Sequence, residues 1–304
     1  MSDKVVAITG TTSGTGYVCA REMAKLGAKV LLLNRPSARA TDSLTRLQSE
    51  VPSGLFQAID CDLQCFDSVR QAAQQICDEH DVLDVLCNNA GVMALPDCAT
   101  VDGYDVQMQT NSISPFLLTS ALVGLLKQRP EVRVVNHTSM ARLGAPHEAK
   151  FFAKHGGALS GDGTDAENAS FGGPRWSRYH QSKLANGTFT NGLKSALEAR
   201  GVSNVKVMIA HPGLASTGLQ VTTAQSGGMQ LGGDFMTQAQ SAEDGALSII
   251  RACAYPDARS GDFCGLEGWT GFPKKLTSEE SLFSTDNIKT NWDGCEAAVG
   301  EFRL

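Results

Sequence analysis

Tyr179 and Lys183 are the pair in this chain whose types and spacing could do chemistry. Four residues apart on a helix, a phenol and an ammonium share one face a single turn apart. A phenol so placed can hand a proton to an oxygen that is gaining negative charge, and can take it back in the reverse direction. Its free pKa of about 10 is too high for an efficient base near neutrality. A nearby cation lowers it, and a shift of about 3 units corresponds to roughly 4 kcal/mol. The second constellation is Thr9 to Gly16, reading TGTTSGTG, between the apolar run Val5 to Ile8 and a helical pattern from Tyr17 to Leu26. A strand that becomes a helix through glycines leaves backbone N–H groups unpaired and open to an anion, and a pyrophosphate is the natural guest.

The elements that must position these groups alternate between strand and helix. Lys29 to Leu33, Leu55 to Ile59, Leu83 to Cys87, Val132 to Asn136 and Val205 to Ala210 are apolar runs of strand length, with helical stretches at Thr41 to Ser49, from Phe66, within Thr100 to Leu126, and from Tyr179 towards Arg200. Ala242 to Ala254 reads as a helix, Ser260 to Cys264 as a seventh strand, and Trp292 to Val299 as a final helix. Unbroken apolar strands alternating with helices predict an α/β fold, a Rossmann-type doubly wound parallel sheet of about seven strands. Residues 1–304 are expected to form a single domain, with a lid-like insertion at 144–178 and a substrate-side loop at 219–240.

Ligands of such sheets gather at the carboxyl ends of the strands. There the chain places Asn34-Arg35-Pro36, Asn88-Asn89-Ala90-Gly91, His137-Thr138-Ser139 and His211-Pro212-Gly213. Arg35 stands near where NAD-binding sheets carry an acidic residue; a guanidinium there would pair with a 2′-phosphate that a carboxylate would repel. The expected cofactor is therefore NADP(H). Pro115 denies the carbonyl four residues earlier, that of Asn111, its helical donor.

The glycine spacing Gly10-x3-Gly14-x-Gly16, the NNAG run, the segment QTNSISPFLLT, the strand-end serine and the Y-x3-K pair together resemble the short-chain dehydrogenase/reductase family. The long segment before the tyrosine and the chain's ending resemble its retinol dehydrogenase and protochlorophyllide reductase branch. The resemblance implies a catalytic tetrad of Asn111, Ser139, Tyr179 and Lys183, with Thr138 as the alternative to Ser139. It implies cofactor contacts from Gly10, Thr12, Ser13, Gly14, Thr15, Gly16, Arg35, Asp62, Leu63, Asn89, Ala90, Gly91, Tyr179, Lys183, Pro212, Gly213 and Thr217. Asp62 could instead cap the helix near Phe66. The implied activity is hydride transfer between NADP(H) and a carbonyl or alcohol substrate. Light-dependent reduction of a ring C=C bond and a non-catalytic NADPH-binding scaffold are the alternatives, and family members commonly pair as dimers or tetramers.

Composition sets further bounds. A net charge of −6 disfavours binding to nucleic-acid phosphates. The most apolar segment, Phe116 to Leu126, is too short to span a bilayer, and Met1 to Lys4 shows no signal or transit sequence, so a cytoplasmic location is expected. Nine cysteines without a C-x-x-C pair read as free thiols, and His147 and His155 as solvated loop residues, so no metal is expected. Phe151, Phe152, Phe171 and Trp176 could cover a substrate or pack an oligomer face, and Met229, Leu231, Phe235 and Met236 could supply an apolar pocket wall.

Overall fold

A computed structural model describes residues 1–155, 172–229 and 234–304. Its strands are β1 (Val5–Thr9), β2 (Lys29–Asn34), β3 (Leu55–Asp60), β4 (Val85–Asn88), β5 (Val132–His137), β6 (Val205–Ala210), β7 (Phe263–Gly265) and β8 (Lys274–Leu276). The helices are α1 (Gly14–Lys25), α2 (Ala38–Glu50), α3 (Phe66–Glu79), α4 (Val106–Met108), α5 (Ser114–Leu126), α6 (Pro174–Ala199), α7 (Gly218–Gln225), α8 (Asp234–Thr237), α9 (Ala242–Ala254) and α10 (Thr285–Val299). Among the described residues one sheet runs β3-β2-β1-β4-β5-β6-β7-β8, parallel except for the β7–β8 pair. The chain winds outward from β1 to β3 and then restarts on the other side of β1 with β4. Loops after β1 and β4 therefore diverge, and the crevice between them is where such sheets take a ligand.

Successive strand residues point to opposite faces, so an apolar run feeds two cores. Ala7, Leu31, Leu86 and Val134 pack with α3, α5, α6 and α10, while Val6, Ile8, Leu32, Cys87 and Val135 pack with α1, α2 and α9. Cys19, Cys87 and Cys253 meet in the second core with their sulfurs within 4.8 Å of one another. All nine cysteines are free.

The structure departs from the sequence reading at short or polar elements. An eighth strand, with Lys274 and Lys275 on an antiparallel edge, adds to the expected seven; charged side chains on so short a strand hide it from a hydrophobicity pattern. Helix α6 begins five residues before Tyr179, with Pro174 in its first turn, where the missing N–H costs nothing. The stretch 219–240 is not a plain loop: α7 carries a capping box between Thr217 and Gln220, and α8 follows. Helix α10 starts at Thr285 rather than Trp292, capped by the Ser284 side chain. Of the expected lid, Gly156-Gly157, Gly161, Gly163 and Phe171 lie outside the described residues, as do Leu231 and the Phe235 side chain.

The C-terminal segment closes the first core. Phe116 of α5 meets Phe189 of α6, Trp292 of α10 and Phe302 with ring centroids 4.9 to 5.2 Å apart. Burying each such ring stabilises by roughly 1.5–3 kcal/mol, so the segment is a structural part of the fold. Phe151 and Phe152 are buried in the same core, and a Cβ on Gly294 of α10 would stand 2.5 Å from Phe152 Cβ.

Candidate active site

The glycine loop is held in shape by amides from its neighbours. Asn34, at the end of β2, accepts from Thr11 N at 2.8 Å and donates to the Thr11 hydroxyl at 2.8 Å. Asn89 donates to the carbonyls of Thr9 and Gly10, at 2.9 and 3.1 Å. That fixes its oxygen to accept from the Thr15 hydroxyl, 3.1 Å away, and from His137 Nδ1, also 3.1 Å. Gly10 and Gly14 have φ of +73° and +60°, open to glycine without strain. A Cβ on Gly16 would lie 2.2 Å from both Asn89 Nδ2 and the Gly10 carbonyl, so this glycine serves the close packing behind the loop. Ser13 heads α1 without a side-chain cap, which leaves the helix's first N–H groups for a ligand.

These elements open onto a cleft of about 920 Å³. Its lining includes Gly10, Thr12, Ser13, Gly14, Thr15, Arg35, Asp62, Leu63, Asn89, Ala90, Gly91, Ser139, Tyr179, Lys183, Pro212, Gly213 and Thr217. Of the expected site residues, the cofactor contact Gly16 and the tetrad member Asn111 do not line it. Asp62 does not cap α3: its carboxylate accepts from Gln64 N at 2.9 Å, and Phe66 N donates to Asp102 instead, at 2.8 Å. Thr217 is occupied as the α7 cap, its hydroxyl donating to Gln220 Oε1 at 2.8 Å.

Asn111 lies in a π-helical turn, Gln109–Ile113, between α4 and α5. Such a bulge is frequent at functional sites, and here it accommodates Pro115. The Asn111 carbonyl accepts from Asn186 Nδ2 at 2.6 Å, while its side chain donates to Ser182 Oγ and to the Val92 carbonyl, each at 2.9 Å. A Cβ on Gly91 would stand 3.2 Å from Asn111 Oδ1 and 3.3 Å from Lys183 Nζ, so Gly91 keeps the space between them open. The Lys183 ammonium donates to the His137 carbonyl at 3.1 Å and lies 5.8 Å from the Tyr179 ring centroid. Thr138 donates its hydroxyl to the Lys183 carbonyl at 2.6 Å, which leaves Ser139 to face the cleft.

Burial governs the protonation of this group. It pushes Tyr179 up to about 12, against a hydrogen bond with Ser139 that pulls the phenol down. It pushes Lys183 down to about 8 and His137 down to about 3, the latter helped by the Lys183 charge. In the protein without cofactor, removal from water outweighs the hydrogen bond with Ser139 and keeps the phenol above its free value.

Sequence reasoning missed Arg39 and Met93 in the cleft, named Trp176 and Met229 only as apolar cover, and misread His147, which does not line it. Arg39, one turn beyond Arg35, donates to Ser13 Oγ at 3.2 Å; reading α2 as starting at Thr41 placed it outside the helix, although the Ser37 cap marks the true start. Trp176 packs edge-on against Tyr179, centroids 5.8 Å apart, and donates to the Gly228 carbonyl at 2.9 Å. With Met93 and Met229 it forms an apolar wall beside the phenol. His147 is not a solvated loop residue: its nitrogens lie 3.0 Å from Gln181 Oε1 and Thr188 Oγ1, and burial pushes it down to about 4.

A doubly wound sheet with a cleft at its switch point is the architecture of dinucleotide-binding oxidoreductases. Residues 4–156 match the short chain dehydrogenase family, and this chain belongs to it. It is 36% identical over 235 residues to retinol dehydrogenase 14 of Homo sapiens, covering 72% of this chain and 64% of that one. It is 33% identical over 217 residues to the chloroplastic short-chain dehydrogenase TIC 32 A of Brassica napus, covering 70% and 64%. An uncharacterized oxidoreductase of Schizosaccharomyces pombe matches at 33% over 225 residues, 72% of this chain and 62% of that one. The chain thus matches a little under two thirds of the length of these relatives. Among solved structures, an uncharacterized protein from Mycobacterium Paratuberculosis superposes with a TM-score of 0.76 at 28% identity, covering 100% and 96% of the two chains. A short chain dehydrogenase from Burkholderia cenocepacia solved in complex with NADP shares the fold, with a TM-score of 0.63 at 22% identity over 88% and 97%. No helix among the described residues is long and apolar enough to cross a membrane.

Proposed function

We propose that this oxidoreductase transfers hydride between NADP(H) and an apolar ketone, aldehyde or alcohol, with Tyr179 as the acid and base. The observation that carries the reading is the phenol itself, buried at the cleft with the Ser139 hydroxyl beside it and Lys183 one turn along the same helix. The cleft fits a dinucleotide phosphate by its donor set. The uncapped start of α1 and the glycine loop would hold the pyrophosphate, and Arg35 and Arg39 the 2′-phosphate. Asp62 and Leu63 would border the adenine, with Pro212 and Gly213 beside the nicotinamide. When bound, the cofactor supplies or accepts the hydride. Ser139 orients the substrate oxygen, and Tyr179 gives it a proton in reduction or removes one in oxidation. Lys183 holds the ribose and, once charged, favours the phenolate; Asn111 anchors the relay that returns protons to Lys183. Trp176, Met93 and Met229 would receive the apolar body of the substrate.

The test is turnover with NADPH and a panel of ketones, aldehydes and quinones, followed by the nicotinamide absorbance. Tyr179→Phe should lower kcat by on the order of 10²- to 10⁴-fold while NADPH still binds. Undiminished turnover in that variant would remove the tyrosine from the chemistry.

A further inference from the structure

Ser139 is followed by a single 3-10 turn, Met140–Arg142, and the last residue of that turn is an arginine with 4% of its side chain exposed. A guanidinium so buried needs acceptors for its fork, and here they are few and specific. Arg142 Nε donates to Glu279 Oε2 at 3.0 Å, and Nη2 donates to Glu279 Oε1, a two-pronged ion pair. Nη1 turns back and donates to the carbonyl of Ser139 at 2.9 Å. The guanidinium carbon lies 4.7 Å from the centroid of the Phe263 ring, which covers it from the sheet. Burial pulls the Glu279 carboxyl up, but the guanidinium outweighs it and holds the group below its usual range.

Glu279 is itself anchored to the helix that carries the tyrosine. It heads the turn Glu280–Leu282, and the fully buried Leu282 packs where a Cβ on Gly187 of α6 would come within 2.6 Å. Asn191 of α6 donates to the Leu282 carbonyl at 2.7 Å. The chain of contacts thus runs from α6 through Leu282, Glu279 and Arg142 to the backbone of Ser139. It joins the serine on one strand end to the phenol on another element.

We infer that Arg142 and Glu279 are positioning residues for Ser139, fixing its carbonyl so that the hydroxyl meets Tyr179 and the substrate oxygen. The inference rests on the proposed role of Ser139. It also gives the C-terminal segment a part in the reaction, since Glu279 lies outside the matched residues 4–156. The backbone of Ser139 is extended, with φ −149° and ψ 165°, and its hydroxyl accepts from Ala141 N at 3.2 Å. The Ser139 carbonyl also accepts from Arg142 N at 3.1 Å, so losing the Nη1 bond leaves it held by the turn alone and loosens the direction in which the hydroxyl points.

The experiment compares Glu279→Gln, Arg142→Lys, Ser139→Ala and the double variant Ser139→Ala/Glu279→Gln. NADPH binding by fluorescence and amide exchange over residues 139–145 are read beside kcat and KM. Glu279→Gln and Arg142→Lys should each lower kcat about tenfold or more, as displaced catalytic groups do, and speed exchange in the turn, with the NADPH Kd within about twofold of the parent. The double variant should be no slower than Ser139→Ala alone, because both losses act through one hydroxyl. Parental kcat in both Glu279→Gln and Arg142→Lys would overturn the inference, as would a double variant slower than Ser139→Ala by the full Glu279→Gln factor. Parental kcat in Ser139→Ala would instead defeat the role of the serine, so the two failures are distinguishable.

Discussion

Replacing Lys183 by Met should make the protein more stable near neutral pH while removing its activity. The ammonium is fully enclosed, and folding lowers its pKa from 10.5 to about 8. Between those values the unfolded chain still holds a proton that the folded chain has released, so stability rises with pH across that window and is lowest, for this group, below pH 8. The difference of about 2.5 units corresponds to about 3 kcal/mol opposing folding at pH 7. Methionine fills a similar volume without charge. It leaves the His137 carbonyl without the bond that Lys183 donates at 3.1 Å, a loss of about 1 kcal/mol. A net gain of about 2 kcal/mol follows, or roughly 3 °C in Tm for a chain of this size. Urea unfolding of parent and Lys183→Met without cofactor should show the gap at pH 7, its closing near pH ~10 and, above pH ~11, a parent more stable by about the 1 kcal/mol of the bond that Lys183 donates. A parent that is the more stable of the two at pH 7, or a gap independent of pH, would refute the argument that burial strains this lysine.

Three further outcomes are expected. Arg35→Ala and Arg39→Ala should each weaken NADPH by roughly 5- to 30-fold, the loss of one charge-assisted contact at an exposed site, with NADH scarcely affected; equal weakening of both cofactors in titrations would dismiss the 2′-phosphate pairing. Gly16→Ala, whose Cβ would fall 2.2 Å from two polar atoms, should destabilise by about 1–3 kcal/mol and weaken every dinucleotide alike, read as a drop in Tm and in NADPH affinity. Thr138→Val removes a bond to the Lys183 carbonyl and should lower stability by about 1 kcal/mol with turnover largely kept, whereas Ser139→Ala should keep stability and lose turnover. The reverse pattern in unfolding and rate measurements would exchange the two hydroxyls' roles.

What the sequence could show follows from the range of each signal. The glycine loop, the NNAG turn and the Tyr179–Lys183 spacing are local patterns, and the structure brings all of them to one cleft. Their supporting bonds are not local. Nothing near Asn34 shows that its amide will hold Thr11, so its place at the end of β2 reads only as a missing acid. Arg142 and Glu279 meet across most of the chain's second half, and neither belongs to a motif. The capping box at Thr217 and Gln220 went unread, because the glycines and glutamines around it mask the helix. Edge strand β8 offers only two adjacent lysines and a leucine, the lysines serving to keep an open edge from pairing.

The bonds made inside the site also say what is left for a ligand to be recognised by. Asn34, Asn89, Thr15, Thr138 and Thr217 are each engaged with this chain's own atoms, so the cofactor end of the cleft is rigid before anything binds. Among the donors left there are backbone N–H groups, suited to a pyrophosphate whatever it carries, and two arginines, suited to one phosphate more. The substrate end has the opposite character. Trp176, Met93 and Met229 offer shape and no hydrogen-bond code, and Trp176 is fixed by a bond to the Gly228 carbonyl in the segment after α7. Changes at that wall should therefore alter which substrates are accepted while leaving NADPH binding as it was, and changes at Arg35 and Arg39 should do the converse.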